Sequence, residues 1–415
     1  MKLVTAFEHG WLLIGDRGDL TQQEADALNQ IEYNLPSGCL VWGRNRLKFK
    51  QFCGVIQVQQ QLQIEILPKV FPHQSSEQQR TTLINMLCMA GEIEGLSLQQ
   101  AGLAISSHRL LDVFIQHFLK LLDVQMRQGL LRDYRDIEDT LDQVRGKIDL
   151  IRQQRENLFK PQRMACLFNE LMDDIPINRL LHTALICIPQ LTTSASLRQQ
   201  VNSMRMRFSN VGTIKKGENI PRSEDLNRMQ YRYAAVIELA RMFITSEYLD
   251  IRSGQQPVFS LLFDMNQLFE RFVAIKLRPV ARKAGLTLIE QGPRRYLGED
   301  SEGKGRLLMR PDISLLDTHK HLVAILDTKW KMLGANNPLS SLSTADLYQL
   351  STYASAYRCD QVMLLYPEQD GLKGEFQMVL ELGKKVLLTV VAVPLDTYEI
   401  GKELINQFSH VPSNR

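Results

Sequence analysis

Two acids stand at opposite ends of neighbouring apolar runs. In Arg310-Pro311-Asp312-Ile313-Ser314-Leu315-Leu316 the carboxylate leads. In Leu322-Val323-Ala324-Ile325-Leu326-Asp327-Thr328-Lys329-Trp330-Lys331 it follows five apolar residues. A β-hairpin sets the start of one strand beside the end of the next, so Asp312 and Asp327 would converge. A carboxylate closing such a run needs a reason, and a shared divalent cation is a good one. Carboxylates with water suit Mg²⁺ or Mn²⁺, which bind through a few carboxylates and substrate phosphate. Such a cation polarises a phosphoryl oxygen and makes hydroxide available. Lys329 lies two residues beyond Asp327 and shares its face of a strand. An ammonium there can position the attacking water or help deprotonate it, and can offset transition-state charge. The carbonyl of Thr328 is a candidate further ligand.

These residues need a sheet with helices against it. A helix is expected at about 264–284. Strands follow near 286–291, 309–316 and 322–328, then a helix at about 343–357 starting from Ser343 or Thr344, with Asp346 where the helix dipole favours a carboxylate. Gln361-Val362-Met363-Leu364-Leu365-Tyr366 reads as a strand that stops before Pro367. Two more strands flank Gly383-Lys384-Lys385. The order αβββαβ plus a hairpin predicts a mixed sheet.

Upstream, Cys39–Gly43 and Cys53–Val58 read as strands, and Leu62-Gln63-Ile64-Glu65-Ile66-Leu67 alternates strictly before Pro68. Thr21 with Glu24 fits a capping box for a helix near Thr21 to Gln30. From about 77 the period becomes helical, through Leu83, Met86, Leu87 and Ala90. A second helix is expected at about 107–128, with Leu110, Phe114, Phe118, Leu121 and Leu122 on one stripe and Gly129 at its end. Residues 142–150 read as a turn or hairpin between helical parts, and helices resume at about 170–190 and 223–247. A turn-rich stretch, Arg252 to Pro257, marks a boundary. The fold class expected is multidomain α+β: a β-rich region 1–76, a mainly helical region 77–252 with a hairpin insertion, and a C-terminal α/β region 253–415.

With 415 residues, 44% hydrophobic and 23% charged, the chain is neither disordered nor fibrous. Lys plus Arg number 49 against 46 Asp plus Glu, so the formal charge of +3 excludes a wholesale polycation. Any nucleic-acid surface must come from local clustering. Two windows cluster: 198–232 holds eight basic side chains and three acidic ones, and 278–310 holds eight and four. Each reads either as a solvated face or as a phosphate-contacting one. Six scattered cysteines without a C-x-x-C pair argue against a zinc ribbon or redox dithiol and for reduced thiols. No secretory h-region and no run of 18 apolar residues is found, so a cytoplasmic location without a membrane is expected. H-E-x-x-H, G-x-S-x-G and G-x-x-x-x-G-K-[ST] are absent. His319 and His321 could chelate a transition metal, but an exposed turn is the plainer reading.

Pro311-Asp312, fourteen residues, then Asp327-Thr328-Lys329 resembles the PD-(D/E)XK nuclease superfamily. A wider set resembles the McrC family: 261–270, 310–312, 325–331, 346–350 and 364–367, with 128–134, 144–149 and 174–181 upstream. The resemblance implies a restriction-endonuclease-like C-terminal core that binds Mg²⁺, or Mn²⁺ in the same site, and cuts double-stranded DNA. It implies Asp312, Asp327, Glu270 and Thr328 as metal ligands. Lys329 would assist the water, with Glu270 as accessory acid and Gln349, of a Q-x-x-x-Y element with Tyr353, as a further candidate. Read from their surroundings alone, Glu270 could simply be solvated beside Arg271, Gln349 exposed and Tyr353 packed.

The family further implies a partner, a McrB-like AAA+ GTPase hexamer that recognises modified cytosine and translocates DNA. The N-terminal and middle regions would dock on that motor and stimulate its GTP hydrolysis. The function implied is a Mg²⁺-dependent endonuclease subunit of an anti-phage restriction complex. Two alternatives stay open: a catalytically idle scaffold and GTPase activator, and a nuclease that works without a motor.

Overall fold

The computed structural model describes residues 1–58, 61–69, 74–93, 109–160, 162–215, 217–248, 258–334, 339–369, 372–381 and 385–395. The expected boundary at 252–257 and the turn residues Gly383 and Lys384 lie outside them. The described chain gathers into two compact units. The larger holds residues 2–56, 62–110 and the part from 260 onward; the smaller holds 57–61 and 111–259.

In the larger unit the N-terminal part is β-rich, as expected. Its elements are β1 (Lys2–Phe7), β2 (Trp11–Leu13), α1 (Gln22–Gln30), β3 (Leu40–Gly43), β4 (Arg46–Phe49), β5 (Phe52–Val58) and β6 (Leu62–Leu67). The Thr21–Glu24 capping box forms in full. Strands β2, β4 and β3 make a small antiparallel sheet. Helix α2 (Ser76–Met89) buries Leu83, Met86 and Leu87.

The smaller unit departs from the sequence reading. Helix α3 (Leu110–Arg127) is where its stripe placed it, and Gly129 adopts φ 86°. Next comes β7 (Asp133–Leu141), then β8 (Lys147–Ile148), α4 (Leu150–Glu156) and β9 (Met164–Met172). The order β7-β9-β8 makes a three-stranded antiparallel sheet where only a hairpin was expected. Gly146 is required there: at φ 70°, a Cβ would sit 2.4 Å from the Leu167 carbonyl oxygen. Helix α5 (Pro176–Leu191) begins later than expected, because 164–172 pair as a strand and Pro176 fixes the first helical turn. Helix α6 is Ala195–Arg205. Helix α7 (Ala234–Tyr248) is likewise shorter than expected, with 3₁₀ turns at Ser223–Asp225 and Tyr231–Tyr233 before it.

The C-terminal part of the larger unit opens with β10 (Val258–Asp264), the edge of a sheet ordered β1-β6-β5-β10. Gly54 on β5 has no room for a side chain there, since a Cβ would lie 1.9 Å from the Leu261 carbonyl oxygen. Asp264 caps α8 (Met265–Lys283) by accepting from the Asn266 and Gln267 amides. Then follow β11 (Thr287–Glu290), β12 (Arg295–Glu299), β13 (Gly305–Met309), β14 (Ile313–Leu316), β15 (Leu322–Thr328), α9 (Thr344–Tyr357), β16 (Gln361–Pro367), β17 (Glu375–Glu381) and β18 (Lys385–Val393). The single strand expected at 309–316 is two strands. Met309 ends the β12–β13 hairpin, and Pro311, which has no amide proton, separates it from β14. The main sheet runs β11-β14-β15-β16-β18-β17. Its inner pairs β15–β16 and β16–β18 are parallel and its outer pairs antiparallel, the mixed sheet expected. Helix α9 crosses between β15 and β16 and packs Leu350, Tyr353 and Ala354 onto Ile325, Val362, Leu364 and Val390.

Candidate active site

Register and pleat assemble the site. Strands β14 and β15 pair antiparallel with Ile313 opposite Leu326, so one step beyond that pair stand Asp312 and Asp327. Ile325 faces α9, and Asp327, two residues on, faces the same way. The end of β15 is fixed on both sides. The Thr328 amide and hydroxyl both donate to Asp312 Oδ2, at 2.8 and 2.9 Å. The Lys329 amide donates to the Leu365 carbonyl of β16 at 2.8 Å.

The carboxylate of Asp327 is buried at 1% exposure. Gln349 Nε2 on α9 donates to Asp327 Oδ1 at 3.2 Å and to the Tyr353 hydroxyl at 3.1 Å. Gln349 Oε1 accepts from Lys329 Nζ at 3.1 Å. Lys329 Nζ stands 2.5 Å from Asp327 Oδ2, a close ion pair. Gln349 thus touches both Asp327 and Lys329, which exposure alone would not give.

Burial, followed by the charge of Asp312, pushes the Asp327 carboxyl up to about 6 against the opposing pull of Lys329. Burial pulls the Lys329 ammonium down, but Asp327, Asp312 and Asp346 outweigh it and hold Lys329 above its ordinary value. Lys329 is therefore a cation at neutral pH. Glu270, in the second turn of α8, is half-buried and accepts from Gln291 Nε2. Burial, with Asp312 among the charges that add to it, pushes its carboxyl up to about 7. The charge of Asp312 adds to the proton affinity of both Asp327 and Glu270, and a cation would relieve that.

Two further residues belong to this neighbourhood: Asp346, which the sequence places only in the first turn of the helix, and Trp330, which it reads as bracing the active strand or touching DNA. Asp346, buried in the first turn of α9, accepts from Lys331 Nζ with both oxygens at 3.1 Å and from the Tyr366 hydroxyl at 3.4 Å. Asp346 lies one helical turn before Gln349 on the same face, which was the available signal. Trp330 is buried against Phe269, with ring centroids 5.5 Å apart, so it braces the strand. His319 and His321 sit on the exposed turn between β14 and β15, and His321 pairs with Asp317.

Among the described residues no three His, Cys, Asp or Glu side chains close into a ready metal cage. Mg²⁺ does not ask for one, since it binds through one or two carboxylates and keeps several waters. The buried carboxylate of Asp327, with Asp312 at the neighbouring strand end, fits that donor set.

What the fold and the site define is a multidomain α/β chain that carries a buried carboxylate–lysine–glutamine cluster at a strand end. The family described as the McrBC 5-methylcytosine restriction system component matches residues 47–367, and the chain belongs to that family. The fold is also similar to two solved structures. The first is described as a refined half-complex from the tetradecameric assembly of Thermococcus gammatolerans McrB AAA+ hexamers with bound McrC. It matches with a TM-score of 0.76 and 19% identity over 98% of this chain and 99% of that one. The second, the cryo-EM structure of the Thermococcus gammatolerans McrBC complex, matches with a TM-score of 0.52 and 23% identity over 66% and 87%. Among curated proteins none matches this chain. No helix among the described residues is long and apolar enough to cross a membrane.

Proposed function

We propose that the chain is the Mg²⁺-dependent DNA endonuclease subunit of a McrBC-like restriction complex, with a PD-(D/E)XK core in 253–415. The observation that carries this reading is the joining of Asp312, Asp327, Lys329 and Gln349 through Thr328 at one strand end. Asp312, Asp327 and the Thr328 carbonyl would hold Mg²⁺ (or Mn²⁺), with Glu270 reaching the ion or its water. The bound ion supplies Lewis acidity toward a phosphoryl oxygen and a water of lowered pKa. Lys329 enters as an ammonium, so it donates to the attacking water and balances charge on the phosphate. Gln349 holds the Lys329 head and Asp327 in mutual register.

The test is cleavage of methylcytosine-containing and unmodified plasmid with Mg²⁺, with and without the AAA+ protein encoded beside this gene. Cleavage of modified DNA that needs the partner and its nucleotide is the expected result. Stimulated partner hydrolysis with no cleavage in any condition would replace this reading with the idle scaffold. Cleavage without the partner would replace it with the motor-independent nuclease.

The partner in this reading is a McrB-like AAA+ GTPase hexamer, and regions 1–76 and 77–252 would supply its docking surfaces. Within the smaller unit, Leu150, Ile151, Leu158 and Phe159 on and after α4 present apolar side chains to solvent; Ile151 is 81% and Phe159 93% exposed. Such a cluster marks a protein contact. Ile151→Asp with Phe159→Asp is expected to weaken partner binding about tenfold or more. Because both side chains are exposed, the thermal midpoint should hold. Calorimetric titration with the partner reads the first and a thermal scan the second. Unchanged affinity would remove this patch from the interface.

A further inference from the structure

One residue far upstream reaches the strand end that carries the site. Glu8 lies in the turn between β1 and β2. Main-chain bonds nail that turn: the Glu8 amide donates to the Leu67 carbonyl, the His9 amide to Phe49 and the Gly10 amide to Phe7, at 2.9, 2.7 and 2.9 Å. His9 takes the left-handed conformation at φ 57°. The Glu8 side chain is 3% exposed. Its Oε1 accepts from the Lys69 amide at 3.1 Å and from Trp330 Nε1 at 2.8 Å, across 322 positions of sequence. Its Oε2 has no hydrogen-bond partner among the described residues. Burial pushes this carboxyl up to about 7. A buried acid that makes only two hydrogen bonds is a costly way to fill space.

What it holds is Trp330. The indole follows Lys329 directly and packs on Phe269, which directly precedes Glu270. The chain turns tightly at that point, the Lys331 amide donating to the Lys329 carbonyl at 3.0 Å. One indole therefore belongs to the residue after Lys329 and packs on the ring of the residue before Glu270, two candidate site residues on different elements. Its only polar atom is fixed by Glu8.

We propose that Glu8 is a positioning residue for phosphodiester cleavage, acting through the Trp330 indole on Lys329 and through Phe269 on Glu270. This rests on the nuclease reading. It assigns the N-terminal β-rich segment a part in the geometry of the site in addition to any docking.

The test uses the full chain assembled with its AAA+ partner, in a Trp11→Phe, Trp42→Phe background where Trp330 is the one remaining tryptophan. Glu8→Ala is expected to lower kcat about a hundredfold, the scale of a misplacement near 1 Å, with KM for DNA held within about twofold. Trp330 emission should shift red as the indole N–H loses its acceptor. Glu8→Gln keeps the accepting oxygen and is expected to restore both rate and emission. Trp330→Phe keeps a ring against Phe269 without the N–H, and in that background Glu8→Ala should add no further loss. The same non-additivity decides the matter if Glu8→Ala alone unfolds. Wild-type kcat and emission in Glu8→Ala, or losses that add in the double variant, would overturn the proposal and leave the nuclease reading standing. A parent chain that cuts nothing overturns the nuclease reading and this proposal together.

Discussion

Lys329→Ala yields a chain that still stimulates its partner's hydrolysis and no longer cuts DNA, with a fall in rate of about a thousandfold or more. The expectation follows from what the ammonium does in the site. It sits against Asp327 Oδ2 and donates to Gln349 Oε1, so it fixes two neighbours as well as offering its own charge. Removing one member of a buried ion pair costs about 3 kcal/mol when the other charge stays. Asp327 can shed that charge by taking a proton, so the loss of stability should shrink as pH falls. Plasmid cleavage, partner hydrolysis and thermal unfolding on one preparation check all three statements. Cleavage by Lys329→Ala at wild-type rate would move the chemistry elsewhere in the molecule.

The second large effect is the coupling of pH to Mg²⁺. In the metal-free chain, burial pushes the carboxyls of Glu8 and Glu270 up to about 7 and that of Asp327 up to about 6. In the unfolded chain the same groups titrate near their ordinary values. Between those limits the folded chain binds more protons, so the stability these groups contribute is fully present at low pH. It is lost as pH rises from about 4 through about 7. Mg²⁺ binds only the deprotonated carboxylates, so its effect runs the other way. The rise in thermal midpoint on adding Mg²⁺ is expected to be small near about pH 5.5 and large near about pH 8. Cleavage should fall by about tenfold for each pH unit below the value where the site takes up its proton. A Mg²⁺-induced midpoint shift that is equal at both pH values, with a flat rate profile, would remove these carboxylates from metal binding.

How much of this was legible in the sequence depends on the range of the contacts involved. The convergence of Asp312 and Asp327 follows from two adjacent apolar runs, and the alternation of a strand put Lys329 on the face of Asp327. Helix α9 announced itself by period and cap, and Gln349 came with it. The bonds from Gln349 to both Asp327 and Lys329 are side-chain geometry that spacing does not carry. Glu8 is the extreme case: nothing near Met1–Gly10 says that Trp330 needs an acceptor. The miss in the smaller unit has a different cause. Strand β7, Asp133-Tyr134-Arg135-Asp136-Ile137-Glu138-Asp139-Thr140-Leu141, has no fully buried residue, so no apolar alternation marks it. It is made a strand by pairing with β9, whose own apolar run, 164–168, is given no element in the sequence reading. The β12–β13 hairpin escaped for the same reason, since β12 is exposed along its whole length.

The sheet order β1-β6-β5-β10 joins strands from residues 2–67 to one at 258–264. On a ribosome adding about 5–20 residues per second, β5 is made roughly ten to forty seconds before β10. During that interval a strand that ends up buried along its whole length shows an open edge, the kind of edge that recruits stray chains. Gly54, which admits nothing but the Leu261 carbonyl, makes the late strand a close-fitting lid for that edge. Completion of the sheet is thus a vectorial event, timed by synthesis of the roughly 190 residues between β6 and β10.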